Sequence, residues 1–179
     1  LIDRQGEAAA YQTIAPFQIA EPLDAICPQK GYKVSEFLQN VHTCRAKDIS
    51  DVRACMQKLR RLHSWSLPYR KPFDILQQIA FYEHLWKQTS RHEDYAEVKD
   101  AIFHLTPLHQ LLERPLCLCH IDAVPDNFLL SEDGRVYLID WEYAAGCDPL
   151  MDPAMFSIYA GYSKEQSVHL LNVYLGRDR

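Results

Sequence analysis

The stretch Cys117–Tyr143, CLCHIDAVPDNFLLSEDGRVYLIDWEY, sets one His, four Asp and one Asn among short apolar runs. Pro125 bars a continuous strand through AVPD, so the segment from His120 to Asn127 reads as a loop between two buried strands. NFLL and RVYLID then pair as a hairpin across the turn SEDG. The return strand brings Asp140, at the end of VYLID, back beside the loop. Loops carried on a rigid scaffold are where proteins display reacting groups.

The spacing His120-x-Asp122-x-x-x-x-Asn127 is the pattern of a kinase catalytic loop. There an Asp takes the proton of the acceptor hydroxyl and an Asn holds a metal ion. A second Asp on the metal that bridges the nucleotide phosphates is also required, and Asp140 answers to it. Phosphoryl transfer asks for positioning and charge stabilisation rather than covalent help. Hard oxygen ligands suit Mg²⁺, and Asn127, Asp140 and Glu142 offer them. Two other readings stay open. Asp122 and Asp126 could be turn and cap residues, with Asp140 merely ending a strand. Asp122, Asp140 and Glu142 could instead bracket a glycosidic bond, a scheme that leaves Asn127 without a role.

Outward from this stretch the chain is ordinary. Its 179 residues fit one domain or two small lobes, with 47% apolar and 24% charged residues. The formal net charge of -5 argues against a nucleic-acid binder, which needs a basic patch. No apolar run reaches the length of a membrane span, so no membrane role is expected. The first twenty residues carry charges and no signal-peptide core, which reads as a cytoplasmic protein. The six Cys make no C-x-x-C pair, against a zinc ribbon. Cys117 and Cys119 share one strand face and read as small buried side chains rather than a metal site with His120. The chain starts at Leu1 and stops just after an amphipathic stretch, so both ends read as cut.

The order of elements predicts an α+β protein. RQGEAAAYQTIA reads as an Ala-rich helix ended by Pro16. LDAICP and GYKVSEFL read as a hairpin around PQKG. A helix with Asp48 or Ser50 as N-cap carries Val52, Met56, Leu59 and Leu62 on one face. Pro72 is expected to open a second helix through PFDILQQIAFYEHLWKQT. A third, HEDYAEVKDAIFHLTPLHQLL, is expected to bend near Pro107. Two helices flank Gly161, the second with a Ser163/Gln166 capping box. The boundary falls near Gln39–Lys47, dividing the chain into 1–40 and 41–179.

The residues CHIDAVPDNFLL…VYLIDWEYAAGCDPLMDPAMFS resemble the bacterial LicA-type choline kinase family. That family lies within the aminoglycoside phosphotransferase and choline/ethanolamine kinase superfamily, which has the protein-kinase-like fold. DRQGEAAAYQTIA, GYKVSEFLQNVHT, MQKLRRLHS and YSKEQSVHLLNVYLGRD are similar to other parts of the family, so the likeness covers nearly the whole chain. The resemblance implies a partial N-lobe with a hinge over 1–40 and a mostly helical C-lobe with a catalytic-loop β-hairpin over 41–179. It implies an ATP- and Mg²⁺-dependent kinase acting on a small-molecule, choline-like acceptor, of unknown oligomeric state.

Residue by residue, the resemblance makes Asp122 the catalytic Asp that orients the acceptor alcohol. Asn127 and Asp140 become Mg²⁺ ligands, with Glu142 in the same acidic cluster. His120 is a structural residue beneath the loop, and Asp152 holds the loop by backbone hydrogen bonds. Glu7 pairs with the phosphate-contacting basic residue, and Glu36, Phe37 and Leu38 form the hinge that reads adenine. The family's Gly-rich loop is expected before Leu1 and its last helices after Arg179. Ala123 and Pro153 depart from the larger apolar residues expected there, and neither change removes a ligand.

Aromatic faces usually hold a quaternary ammonium. Trp141 is expected to pack inward, and Tyr143 is the better acceptor contact. Two rivals are a kinase for another small alcohol (ethanolamine, an aminoglycoside, a sugar amine) and a non-catalytic remnant without its phosphate-binding loop.

Overall fold

The computed structural model describes residues 3–86, 88, 90–105 and 115–177. The chain divides into two compact units, Leu1–Pro72 with Leu116–Arg179, and Phe73–Pro115.

The first unit begins with α1 (Arg4–Ile14), whose N-cap Asp3 accepts a hydrogen bond from the Gly6 N–H at 3.0 Å. Ala8, Ala10, Tyr11 and Ile14 form its buried face. Pro16 sits in a 3₁₀ turn that ends at Gln18 in the left-handed region (φ 52°). β1 (Leu23–Cys27) and β2 (Tyr32–Ser35) follow as an antiparallel hairpin, its turn closed by Gly31 at φ 70°.

β3 (Val41–Thr43) lies inside the stretch expected to be a polar boundary. It pairs with β5 (Phe128–Ser131), and β5 pairs with β6 (Val136–Leu138), giving the order β3-β5-β6. So the predicted β5–β6 hairpin forms around SEDG, and the chain after the hinge stretch supplies its edge strand. Val41 alternates with polar His42 and Thr43, too short a pattern to announce a strand. β4 (Cys117–Cys119) pairs with β7 (Ala145–Cys147) in a separate two-stranded sheet.

α2 (Ile49–Ser64) is capped by Asp48, which accepts from the Ser50 N–H at 3.0 Å. Val52, Cys55, Met56, Leu59 and Leu62 make a buried stripe at helical spacing. α5 (Met151–Tyr159) and α6 (Lys164–Leu175) pack with it. Pro153 falls in the first turn of α5, where no N–H is missed. The Ser163/Gln166 capping box opens α6. One core joins Tyr11, Ile14 and Ile19 of the front segment to Leu59, Phe128, Leu138, Trp141 and Phe156. Backbone bonding crosses the same seam: the Leu138 N–H donates to the Ile19 carbonyl at 2.7 Å.

The second unit holds α3 (Ile75–Leu85) and α4 (Tyr95–His104). α3 does not start at Pro72. Asp74 is its N-cap, accepting from the Leu76 and Gln77 N–H groups at 3.0 and 3.1 Å. Two satisfied N–H groups outweigh a favourable proline, and Pro72 instead bridges to Gly146 in the first unit. α3 also stops short of the predicted end, since Trp86 is extended. Glu83 ties the two helices through Lys99 (2.8 Å) and the Tyr95 hydroxyl (3.0 Å). The predicted bend near Pro107 lies outside the described residues.

Candidate active site

The loop between β4 and β5 is built on its own backbone and one buried carboxylate. Asp152, fully buried in the first turn of α5, accepts from the His120 N–H at 2.9 Å and the Ile121 N–H at 2.8 Å. His63 Nε2 lies 3.0 Å from the same carboxylate, and His63 Nδ1 is 2.8 Å from the Tyr174 hydroxyl. Burial alone pushes the Asp152 carboxyl up, but the His63 bond and the loop N–H bonds hold it below its ordinary value. An ionised carboxylate that gathers several donors is how a buried charge is tolerated.

These bonds hold an uncommon backbone. Ile121 sits at φ 71°, a left-handed conformation that a β-branched side chain resists. Two N–H bonds to Asp152 on this turn over-determine it, as strained functional loops require. The chain then presents Asp122 and enters a 3₁₀ turn at Pro125–Asn127. Asn127 Nδ2 donates to the Asp122 carbonyl at 2.8 Å and to Asp122 Oδ2 at 3.1 Å. Ala123, with no exposed surface, packs beneath.

The hairpin closes the site. The Ile139 N–H donates to the Asn127 carbonyl at 2.9 Å, so the next residue, Asp140, emerges beside the loop. Asp140 is exposed and takes φ 68°, the second left-handed residue here. Burial and the Asp140 charge push the Glu142 carboxyl above its ordinary value. Such mutual repulsion is what a cation between carboxylates relieves. With Asn127 Nδ2 engaged, its amide oxygen is the atom free to ligate, and Asn127, Asp140 and Glu142 are oxygen donors of the kind that could hold Mg²⁺.

His120 lies under the loop with no exposed surface. Its Nε2 donates to the Ile139 carbonyl at 2.9 Å, and its ring meets Trp141 edge-on at 4.8 Å. Burial lowers its pKa and keeps it neutral, and Nδ1 has no partner among the described residues. Trp141 packs inward, donating from Nε1 to the Leu138 carbonyl at 2.6 Å. Tyr143 is 43% exposed beside Glu142.

The residues expected toward the nucleotide stand on other elements. Glu7 is buried in the first turn of α1, 3.9 Å from Arg4 of the same turn, and its charge reaches Glu142. Glu36 and Phe37 are exposed, Phe37 at 85%, and a backbone bond runs from the Glu36 N–H to the Pro22 carbonyl (2.9 Å). Leu38 lines a shallow cleft with Val41, Ser131 and Tyr137. His63 and Tyr174 were not anticipated. Their partners lie 89 and 111 positions away, and RLHSW carries no local sign of either bond.

A model of the phosphotransferase enzyme family matches residues 5–179. Protein LicA of Haemophilus influenzae is 30% identical over 185 residues, covering 97% of this chain and 52% of that protein. The crystal structure of choline kinase LicA from Streptococcus pneumoniae superposes with a TM-score of 0.88 at 28% identity, covering 97% of this chain and 62% of that one. A structure of LicA in complex with AMP gives a TM-score of 0.87 at 28% identity, covering 97% of this chain and 61% of that one. The chain thus spans about half to two thirds of the length of the relatives it matches.

Proposed function

This chain belongs to the phosphotransferase enzyme family, and we propose that it is an ATP-dependent small-molecule kinase that phosphorylates the hydroxyl of choline or a similar amino alcohol. The observation that carries the reading is the pair of hydrogen bonds that Asn127 Nδ2 donates to Asp122, with the Ile139 N–H donating to the Asn127 carbonyl. It ties the Asp122 carboxylate to the Asn127 amide and sets Asp140 one residue beyond the bond from Ile139.

In this reading Asp122 receives the acceptor's hydroxyl proton and aims its oxygen at the γ-phosphorus. Asn127 fixes the Asp122 rotamer, so the carboxylate costs no reorganisation when the acceptor arrives. Asn127, Asp140 and Glu142 would hold Mg²⁺, which would neutralise the nucleotide's phosphate charge. Glu7 pairs with the basic residue that contacts the phosphates, and Glu36–Leu38 present backbone groups to adenine. His120 and Asp152 support the loop without touching substrate. Residues 1–40 then serve the nucleotide and 41–179 the chemistry.

The acceptor rests on the choline kinase neighbour and on exposed Tyr143, whose face suits a quaternary ammonium. Among the described residues no helix is long and apolar enough to cross a membrane. All six cysteines are free, in keeping with a reducing, cytoplasmic setting.

The test uses the protein expressed from its complete gene, in a coupled ADP-release assay over choline, ethanolamine, an aminoglycoside and a sugar amine. Choline-dependent turnover is expected to dominate. Asp140→Ala is expected to abolish Mg²⁺-dependent nucleotide binding. ADP release that no acceptor stimulates would sink the proposal, while turnover with another acceptor alone would move the substrate and keep the chemistry.

A further inference from the structure

We propose that His63, Cys117 and Cys119 form a binding site for one thiophilic, zinc-class divalent cation behind the catalytic loop. The alternation of β4 puts both cysteines on one strand face, with their sulfurs 3.7 Å apart. α2 brings His63 to that face, and one ligand atom from each of the three residues lies within 4.8 Å of the others. Two thiolates at about 2.3 Å from a tetrahedral ion stand about 3.7 Å apart, so the sulfurs already hold the required spacing.

A disulfide suits this geometry less well. Cα atoms two apart in a strand are separated by about 6.6–6.8 Å, the outer limit of what a disulfide spans. Oxidation would have to bend β4 away from β7, whereas an ion sits between the sulfurs without moving backbone.

The surroundings are also those of a metal site. His63 Nε2 faces Asp152 at 3.0 Å, which fixes the proton there and leaves Nδ1 as the lone-pair nitrogen. A carboxylate that orients a histidine through its far nitrogen is the usual outer arrangement around zinc. Nδ1 now takes the Tyr174 hydroxyl at 2.8 Å. On binding, the ion replaces that hydroxyl on Nδ1, both thiols release their protons to solvent, and Tyr174 or a water completes the tetrahedron. The cluster is buried: the His63 side chain is 4% exposed, Cys119 0% and Cys117 9%. Because Asp152 also holds the His120 and Ile121 N–H groups, an ion here stiffens the loop from behind. The site does not depend on the kinase reading, and neither does its test.

Co²⁺ is titrated into the reduced, metal-free protein while thiolate-to-cobalt charge transfer and the visible d–d bands are recorded. Saturation at one equivalent and displacement by Zn²⁺ are expected. Cys27→Ser, outside the cluster, should bind as the parent does. The Cys117→Ser/Cys119→Ser pair should lose the charge-transfer band, and His63→Gln should weaken Co²⁺ at least tenfold. Should the double variant fail to give a cooperative melt, Cys117→Ser alone is read, with about half the band intensity expected. No thiolate band at one equivalent, or an undiminished band without these cysteines, overturns the proposal.

Discussion

Two short stretches of this chain are both assigned to substrate handling, and the fold treats them in opposite ways. The loop His120–Asn127 is largely buried, holds a left-handed isoleucine and is pinned by a fully buried carboxylate. The stretch Glu36–Leu38 is largely exposed and, among the described residues, is steadied by one backbone bond. The difference follows from what each must present. A carboxylate that orients a reacting hydroxyl loses its effect if it is misplaced by about an ångström. A hinge that offers backbone groups to a flat base needs only an extended chain.

The comparison can be broken at the loop first. Asp122→Asn keeps the shape of the side chain and its bond to Asn127 but removes the proton acceptor, so kcat should fall by about 10²–10⁴-fold. Nucleotide affinity, measured separately by calorimetry, should hold. A wild-type kcat in this variant would remove Asp122 from the chemistry.

Asp152→Ala comes next. It leaves two loop N–H groups and His63 without their shared acceptor in a fully buried place. Stripping one partner from such a cluster costs about 3–5 kcal/mol, readable by urea unfolding. A loss under about 1 kcal/mol would show that the loop holds itself.

A third experiment tests where the loop's neighbour, β3, is anchored. Asp51 in α2 accepts from Arg45 Nε at 2.8 Å and from the Arg45 N–H at 3.0 Å, and lies 3.2 Å from His42 of β3. The Arg45 bonds lower its pKa to about 2 in the folded state. The folded value lies below the unfolded one, so the pair's stabilisation is complete above about pH 4 and fades as pH falls toward 2. Arg45→Ala should flatten the acid limb of the stability–pH curve between those values. An unchanged limb would mean that other carboxylates carry it.

The smallest effect is expected in the hinge. Phe37, 85% exposed, packs against little, and Phe37→Ala should shift stability by less than about 0.5 kcal/mol. A large loss of stability there would erase the contrast between the two stretches. A rise in the nucleotide KM with stability unchanged would sharpen it.

Much of this was legible in the letters. The N-caps Asp48 and Ser163, the turn at SEDG and the Pro125 break are local rules, settled by residues within four positions of one another. They sufficed to place Asp122, Asn127 and Asp140 on a loop and its returning hairpin. The start of α3 was misjudged because two local signals competed, Pro72 and Asp74, and the one that satisfies two N–H groups prevailed. β3 was missed because three residues of mixed polarity become a strand only when β5 lies beside them.

The sequence by itself determined which chemical groups are available and in what order: a carboxylate, an amide five residues on, a second carboxylate after a tight turn. Tertiary structure alone decided what holds them. His63 and Asp152 stand 89 positions apart, and Tyr174 lies 111 from His63. His63 also meets Cys117 and Cys119 only because α2 crosses beneath β4. Local pattern encodes the conformation of a segment through its own hydrogen bonds and side-chain spacing. Which segments meet is decided by the burial of apolar faces, and that is a property of the whole chain.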